Sequence, residues 1–422
     1  MEWMFDNYIW ASAFLLSVAV GAGLACQKKQ FGAILKGAFN AVCGYLIFWV
    51  GAKIMVAVTA PIAGAFSAVS GVKVMIASNE AAVAIGFSRY APSSMLILIC
   101  SCAFNLIIAR CKKCNAVFLT GHVLLFTSSM LAVMMEALTI WPIFVQAVVG
   151  GAAATLINIL SMAMCQKYVN QITKNTALVL AHTGNPSVFI AGWLGTKFGN
   201  PDNSAEQWKI PQKWSFFREA SIASAATMSV VFTALCLAVN SQNPDIFGNY
   251  GPVGYGVVSG VLFGIGIHII LLGIRMVTAD LVTTLKLAVD KLAPGAKLGL
   301  DSPLFMNFAP NSWLLGFLIS YPLCLVLALL LAGPVGLPYV AIVCSVPCFF
   351  DAGIAAVIGN ATGGIRGVII SAVAHSVITV TGLSMLSSLI PLLQDSAIIW
   401  GGPDAAVFGT ILAYILNLVG GV

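Results

Sequence analysis

Long apolar runs follow one another along almost the whole chain, and they restrict its fold more than any other feature. A helix that crosses a bilayer needs about 20 predominantly apolar residues. Runs of roughly this length lie at 8–26, 37–58, 91–109, 137–164, 218–240, 252–275, 311–333, 337–358, 364–391 and 404–421. Since lipid cannot satisfy backbone polar groups, such runs form helices. The runs predict an all-α polytopic membrane protein with about 10–11 transmembrane helices and re-entrant hairpins where a run is interrupted.

The scarcity of charge supports the same class. Charged residues make up 8% of the 422 residues and hydrophobic ones 60%, whereas soluble domains carry about 25% charged residues. The basic residues lie in short loops such as the one holding Lys28 and Lys29. This placement indicates the cytoplasmic side of the cell (inner) membrane and a lipid bilayer, rather than nucleic acid, as the partner. Because Met1–Asn7 has acidic but no basic residues, we expect no cleavable signal peptide.

The stretch Thr176–Trp193 interrupts the apolar pattern with a polar core. It holds His182, then Gly184, which allows unusual backbone angles, and Pro186, which ends a helix. The apolar arms on either side are each too short to cross a bilayer. We interpret residues 176–195 as a re-entrant hairpin whose tip reaches a substrate site, because non-helical backbone survives at membrane depth only beside protein or a wet cavity. His182 is then either a substrate ligand or an imidazole bonded to a neighbouring helix.

A second polar interruption, residues 298–309, has the same character and carries Asp301. A carboxylate can accept hydrogen bonds from two adjacent hydroxyls of a sugar or polyol. Asp301 is therefore a candidate ligand of a small polar substrate, and the alternative is an ion pair with Arg275 or Lys297. We expect the two hairpin tips to face each other across one cavity.

Two other polar sites interrupt apolar segments. Glu80 follows Ser78 and Asn79. This turn is either another re-entrant tip with Glu80 in the cavity or an ordinary exterior loop. His122, which follows Thr120 and opens an apolar segment with small hydroxyl residues, is assigned a structural role in helix packing.

A faint internal echo suggests a chain built from two halves. Gly51 and Gly273 each end an apolar run, are followed two residues later by a cation, and lie 222 positions apart. Transporters are commonly built from two repeats with the substrate site at their interface. We predict a first repeat at 1–217 and a second at 218–422 within one membrane-embedded domain. In the second, residues 277–292 have the charge pattern of an amphipathic helix lying along the membrane surface.

The sequence carries no pattern typical of an enzyme. It has no phosphate-binding loop and no nucleophile–base spacing. Cys111 and Cys114 form a Cys-x-x-Cys pair, but without a second pair they do not predict a zinc site. Most other cysteines, Cys324 among them, lie in apolar runs, where a free thiol behaves as a small hydrophobe. We expect no catalytic residue, no metal and no cofactor in this chain.

Several blocks together resemble a known family. They are Leu119–His122, the hairpin around His182, Gly273–Leu281, Pro294–Asp301, Phe308–Asn311 and Gly359–Arg366. Their order and context are similar to those of the ascorbate-specific IIC component of the bacterial phosphotransferase system. The resemblance covers most of the chain and implies a homodimeric permease whose protomer has a core (transport) domain and a scaffold (dimerisation) domain. It further implies an elevator-type movement of the core, with the substrate phosphorylated by a separate cytoplasmic IIB protein that IIA supplies.

The resemblance also implies site positions, at three of which this chain departs from the family. Ascorbate carriers resemble one another in having a glutamine after the hairpin histidine, where this chain has Thr183. They have a glutamine shortly after Thr-Gly-His, which falls here on Phe126 with Thr127 next. They have a serine after the glycine that matches Gly51, where this chain has Ala52. The expected substrate-binding set is His182, Thr183, Asp301, Gly51, Ala52, Thr127, Phe126 and Glu80.

Two functions fit these features. One is a IIC permease for ascorbate or a related small hydroxylated solute, coupled to phosphorylation by IIB. The other keeps the fold but is a phosphotransferase-independent secondary carrier or facilitator with a different substrate, proton-linked through His182, Glu80 or Asp301. Transport that needs IIB distinguishes the first, and transport that follows the proton gradient without IIB distinguishes the second.

Overall fold

The computed structural model describes residues 7–110, 115–174, 178–208, 219–242 and 244–419. The helices are α1 (Asn7–Cys26), α2 (Phe31–Ser70), α3 (Asn79–Ile108), α4 (Gly121–Leu138), α5 (Ile143–Thr173), α6 (Asn185–Phe198), α7 (Ala220–Val239), α8 (Gly251–Leu292), α9 (Pro310–Ala332), α10 (Ser345–Pro347), α11 (Gly353–Leu389) and α12 (Thr410–Val419). The strands are β1 (Lys73–Ala77), β2 (Ala116–Phe118), β3 (Val179–Leu180), β4 (Lys297–Leu300), β5 (Tyr339–Val343) and β6 (Ile398–Ile399). The Cys111 and Cys114 pair, Thr176 and the predicted boundary between residues 217 and 218 lie outside the described residues.

Long apolar helices dominate the described residues, and eight of them are long enough to cross a membrane. Two shorter apolar segments, Leu16–Cys26 and Ala405–Val419, add to these. The prediction of an all-α polytopic membrane protein is confirmed. The number of full-length candidates in this part of the chain is smaller than the predicted 10–11, because several apolar runs are divided between strands and helices.

The predicted span at 337–358 is wrong, because its first part forms strand β5. The Val340–Val343 segment is rich in β-branched residues, which fit a pleated and buried surface. It pairs in parallel with β1, so that Val74 lies opposite Val340, and this pairing satisfies backbone groups that lipid could not. After the strand come α10, a π-helical turn at Cys348–Ala352, and α11.

Residues 277–292 also differ from the prediction of a separate surface helix. They are the end of α8, which runs without interruption for 42 residues. No glycine or proline occurs in this segment, so nothing in it stops the helix. Its amphipathic character is real: Leu285 and Val289 are buried, whereas Lys286 and Asp290 are exposed.

Two three-stranded parallel sheets join the two halves of the chain. One has the strand order β5-β1-β6 and the other β2-β4-β3. In each sheet the central strand comes from one half and its two neighbours come from the other. Because all the pairings are parallel, the carboxyl ends of the three strands in a sheet lie at the same edge.

The order of elements in residues 219–419 follows the order in residues 7–208. Strands β4, β5 and β6 begin 219 to 224 residues after β1, β2 and β3, respectively. Helices of 40 and 42 residues, α2 and α8, precede β1 and β4. Exchanging each strand for its counterpart converts the order of one sheet into that of the other.

Helices α2 and α8 pack closely because glycines line their contact. A Cβ atom on Gly273 would lie 2.5 Å from both the carbonyl oxygen of Gly44 and the amide nitrogen of Phe48. A Cβ atom on Gly51 would lie 2.9 Å from the carbonyl oxygen of Gly266. Small residues of this kind let helix backbones approach each other in membranes.

Candidate functional site

A cavity of about 290 Å³ lies where the strands end and the helices begin. Each of the strands β1 to β5 is followed, within eight residues, by a polar side chain on the cavity wall. These side chains are Glu80, His122, His182, Asp301 and Asp351, in strand order. The parallel pairing of the strands therefore brings together residues that are far apart in sequence.

His182 lies between two carboxylates. Its Nε2 atom is 3.6 Å from Oδ1 of Asp301, and its Nδ1 atom is 3.1 Å from Oδ1 of Asp351. The backbone N–H of Gly184 also points at Nδ1, at 3.1 Å. The side chain is 6% exposed, so the ring is fixed from one side and reaches the cavity with its Nε2 edge.

Asp351 is a site residue that the sequence analysis missed. Its Oδ1 atom accepts a 2.7 Å hydrogen bond from the hydroxyl of Thr183 as well as contacting His182. Its Oδ2 atom is buried and has no hydrogen-bond partner within the described part of the chain. A signal was available, because an acid inside an apolar run is costly and is a functional hypothesis by default.

Asp301 lies at the tip of the second interruption, next to the first. Strands β3 and β4 are paired, and Ala181 donates a backbone hydrogen bond of 2.8 Å to Leu300. One carboxylate oxygen of Asp301 accepts a hydrogen bond from the backbone of Ser302 at 2.7 Å. The other lies 3.5 Å from Nε2 of His122. The two interrupted segments thus meet at one cavity.

The alternative roles considered for Asp301 and His122 receive a clear answer in the described residues. Asp301 forms no ion pair with Arg275 or Lys297 there, and its ionic neighbours are His122 and His182. His122, which was assigned a packing role, is a cavity residue. The sequence could not reveal this, because β2 and β4 pair across most of the chain.

Glu80 is buried on the cavity wall rather than exposed on a loop. It lies in the first turn of α3, directly after β1, and Ser78 donates a 3.1 Å hydrogen bond to its carboxylate. The neighbouring Asn79 accepts hydrogen bonds from the backbones of Gly401 and Gly402 at 2.9 and 3.2 Å. Of the two alternatives, the buried turn is the one observed.

Helix α8 forms the opposite wall. Leu271, Ile274, Arg275 and Thr278 line the cavity from this helix. Arg275 is exposed, and no carboxylate in the described residues forms an ion pair with it. A guanidinium that is not already paired is available to an anionic or hydroxylated solute.

Three of the expected substrate-binding residues do not line the cavity. Gly51 and Ala52 are buried in α2, and Gly51 packs against Gly266 of α8. The hydroxyl of Thr127 donates a 3.0 Å hydrogen bond to Val123 in its own helix. Phe126, by contrast, does line the cavity and makes an edge contact with the ring of His122.

The chemistry of the cavity suits the binding of a small polar molecule. Ligand sites commonly have volumes of about 300–1,000 Å³, so this cavity is at the small end. Carboxylates accept hydrogen bonds from hydroxyls, and an imidazole can accept one and donate another. The walls between them are apolar, with Pro303, Val346 and Phe350 among the lining residues.

Comparison with known proteins gives two similarities. A family model described as "PTS system sugar-specific permease component" matches residues 9–404. The chain is also 22% identical over 410 residues to the "Ascorbate-specific PTS system EIIC component" of Mycoplasma pneumoniae, with 85% of this chain and 62% of that protein covered. The chain therefore spans less than two thirds of the length of this relative. The family match includes every polar cavity residue described above.

Proposed function

The chain belongs to the family of sugar-specific permease components of the phosphotransferase system, and from that premise we propose that it carries ascorbate or a related small hydroxylated solute across the membrane. It is a multi-pass membrane protein of the IIC type. The observation that carries the proposal is the cluster of His182, Asp301 and Asp351 on one small cavity. The printed name of the Mycoplasma pneumoniae relative supports ascorbate as the first substrate to test.

In this proposal His182 and Asp301 are the substrate ligands. The Nε2 edge of the imidazole and the partly exposed carboxylate, 31% exposed, both reach the cavity. Two hydroxyls of a sugar-like molecule can donate to the carboxylate and exchange hydrogen bonds with the ring. Arg275, on the opposite wall, supplies a positive charge for an anionic substrate such as ascorbate. Thr183 already donates to Asp351, so in this chain it orients the site rather than replacing a substrate-binding glutamine.

We assign the scaffold domain to α1, α2, α7 and α8, and the core domain to the remaining helices and both sheets. Close glycine contacts between α2 and α8 support the scaffold, as does the packing of Gly264 against Ser221 of α7, where an added Cβ would lie 2.8 Å from the carbonyl oxygen. The cavity lies between residues of α8 and residues of the core. A site at such a boundary suits an elevator-type mechanism, in which the core moves past the scaffold with its substrate. The implied homodimer would form through the scaffold.

The matching order of elements supports two structural repeats within this arrangement. The strand offsets of 219 to 224 residues agree with the 222-residue separation of Gly51 and Gly273. Each half supplies one scaffold pair of helices and one set of three strands. A substrate site at the interface of two repeats is a recurrent design in transporters.

Phosphorylation in this proposal belongs to the partner proteins. IIB phosphorylates the substrate on the cytoplasmic side after IIA has charged it, while this chain provides the binding site and the route. The test uses the full chain in proteoliposomes with labelled ascorbate outside and IIB, charged by IIA, inside. We expect the label to accumulate as a phosphorylated product, and only when IIB can be phosphorylated. A IIB variant that lacks its phosphorylated cysteine is the control.

A proton-linked carrier is the second candidate, because Glu80 and Asp351 are buried beside His182. Buried carboxylates without a basic partner are typical of proton relays in membranes. The same vesicles distinguish the two: unmodified ascorbate that accumulates without IIB, in proportion to an imposed proton gradient, would replace the first proposal with the second. If no ascorbate enters under either condition while another labelled sugar does, the proposed substrate is wrong.

A further inference from the structure

Two cysteines and a histidine meet in the interior, away from the polar wall of the cavity. They are Cys324 of α9, Cys348 of the π-helical turn and His375 of α11. All three are at most 1% exposed. The two sulfur atoms are 3.7 Å apart, and one potential ligand atom from each residue lies within 4.8 Å of the others.

The imidazole of His375 is oriented as a metal ligand would be. Its Nδ1 atom lies 3.0 Å from the hydroxyl of Ser187. Its Nε2 atom is buried and has no hydrogen-bond partner among the described residues. A buried ring nitrogen without a partner is costly, whereas a metal-binding histidine typically uses its second nitrogen for a hydrogen bond that fixes the ring. The hydroxyl of Ser187 supplies that bond and leaves Nε2 available.

The separation of the sulfurs also fits a shared ion. Two thiolates bound to one tetrahedral zinc ion, each at about 2.3 Å, are separated by about 3.8 Å, close to the observed 3.7 Å. A Zn²⁺ ion and two thiolates carry no net charge together, which favours burial. We propose that Cys324, Cys348 and His375 bind a zinc-like divalent cation. On binding, both thiols release their protons to solvent and the ring contributes the lone pair of Nε2, so no oxidant is required.

The surroundings provide a fourth position and a path to it. The hydroxyl of Ser320 lies 3.9 Å from the sulfur of Cys324 and can complete the coordination directly or through water. The segment that carries Cys348 also lines the central cavity with Pro347 and Phe350, which connects the site to solvent. The ion would join α9 and α11 to the turn that carries Asp351, and would thereby stabilise the position of that carboxylate beside His182.

Binding of Co²⁺, a spectroscopic substitute for Zn²⁺, tests this proposal on the full chain. The protein is purified in detergent under reducing conditions, stripped with a chelator and titrated. We expect one equivalent of Co²⁺ to produce a thiolate charge-transfer band and the visible bands of tetrahedral cobalt, and one equivalent of Zn²⁺ to remove them. Zn²⁺ should also raise the melting temperature by several degrees, because a ligand that binds only the folded state stabilises it.

Variants locate the signal. Cys348→Ser and His375→Gln should each lose the charge-transfer band or its tetrahedral pattern, together with the zinc-dependent rise in melting temperature. Two controls should keep both signals: Cys236→Ser, which changes a buried thiol of α7, and the double variant Cys111→Ser/Cys114→Ser, which removes the Cys-x-x-Cys pair.

The proposal fails if the wild-type protein shows no thiolate band, a result that does not depend on whether any variant folds. It also fails if the band survives in Cys348→Ser or disappears in the Cys111→Ser/Cys114→Ser control. A thiol count that finds Cys324 and Cys348 joined as a disulfide in the reduced preparation would equally overturn it. None of these results depends on transport, so they leave the proposed permease function unaffected.

Discussion

His182 shows how one side chain can be positioned by two acids with different roles. Asp351 contacts the buried Nδ1 edge at 3.1 Å, while Asp301 lies 3.6 Å from the Nε2 edge that faces the cavity. Asp351 is 1% exposed, whereas Asp301 is 31% exposed. The buried acid therefore orients the ring, and the half-exposed acid shares the substrate with it.

We predict that His182→Ala and Asp301→Asn each weaken ascorbate binding. A hydrogen bond to a charged group contributes about 1.5–3 kcal/mol, so the dissociation constant should rise about 10- to 100-fold. Equilibrium binding of labelled ascorbate to the purified protein measures this. His268→Ala and Asp290→Asn, which change exposed residues of α8, are matched controls and should bind normally. Unchanged affinity in both site variants would refute the proposed ligands.

We predict that Asp351→Asn weakens binding through His182 rather than directly. The amide keeps the size of the side chain but removes the charge that holds Nδ1, so affinity should fall by about tenfold. A double-mutant cycle measures the dependence, because residues in one network are not additive. Asp351→Asn should add little to the loss in His182→Ala. Fully additive losses would mean that Asp351 contacts the substrate itself.

At the scale of elements, strands inside the membrane domain place the site. Each strand is too short to be predicted reliably by alternation of apolar and polar residues, and β3 and β6 consist of two residues each. Their pairing nevertheless satisfies the backbone before each helix begins. The polar side chains of the site follow these strands because a helix start exposes free N–H groups and admits polar residues.

We predict that Gly273→Ala destabilises the contact between α2 and α8. The added methyl group would lie 2.5 Å from backbone atoms of Gly44 and Phe48, and overpacking of this kind costs about 1–3 kcal/mol. Thermal unfolding in detergent should show a lower melting temperature. Gly64→Ala is the control, because its Cβ meets nothing within 4 Å and the change should be neutral or slightly stabilising. Equal effects of the two changes would contradict the close packing of these helices.

At the scale of the whole molecule, the cavity lies at a boundary. Its residues on α8 belong to the proposed scaffold, and its acids and imidazoles belong to the proposed core. If the core moves past the scaffold, contacts across this boundary must break during each transport cycle, while contacts within the scaffold persist.

We predict that a cross-link across this boundary stops transport. In the pair Gly121→Cys/Thr278→Cys, the Cβ atoms would lie about 3.0 Å apart in this conformation, close enough to bridge with a small adjustment. Oxidation should abolish uptake of labelled ascorbate in proteoliposomes, and reduction should restore it.

The matched control joins α1 to α8 within the scaffold. The pair Gly23→Cys/Thr284→Cys has its Cβ atoms about 3.7 Å apart, and uptake should survive its oxidation. Each single-cysteine variant should be insensitive to oxidant. Transport that continues through a complete cross-link between positions 121 and 278 would argue against an elevator-type movement.

The local sequence determined the class of protein and the two interrupted segments, because the length of an apolar run and the presence of a polar break are properties of neighbouring residues. It therefore predicted the membrane helices, the tips at His182 and Asp301, and the 222-residue echo. It could not identify Asp351 or His122 as site residues, nor show that residues 337–358 begin as a strand. Those outcomes depend on strands that pair between the two halves, and only the folded chain decides which distant segments supply each other's hydrogen bonds.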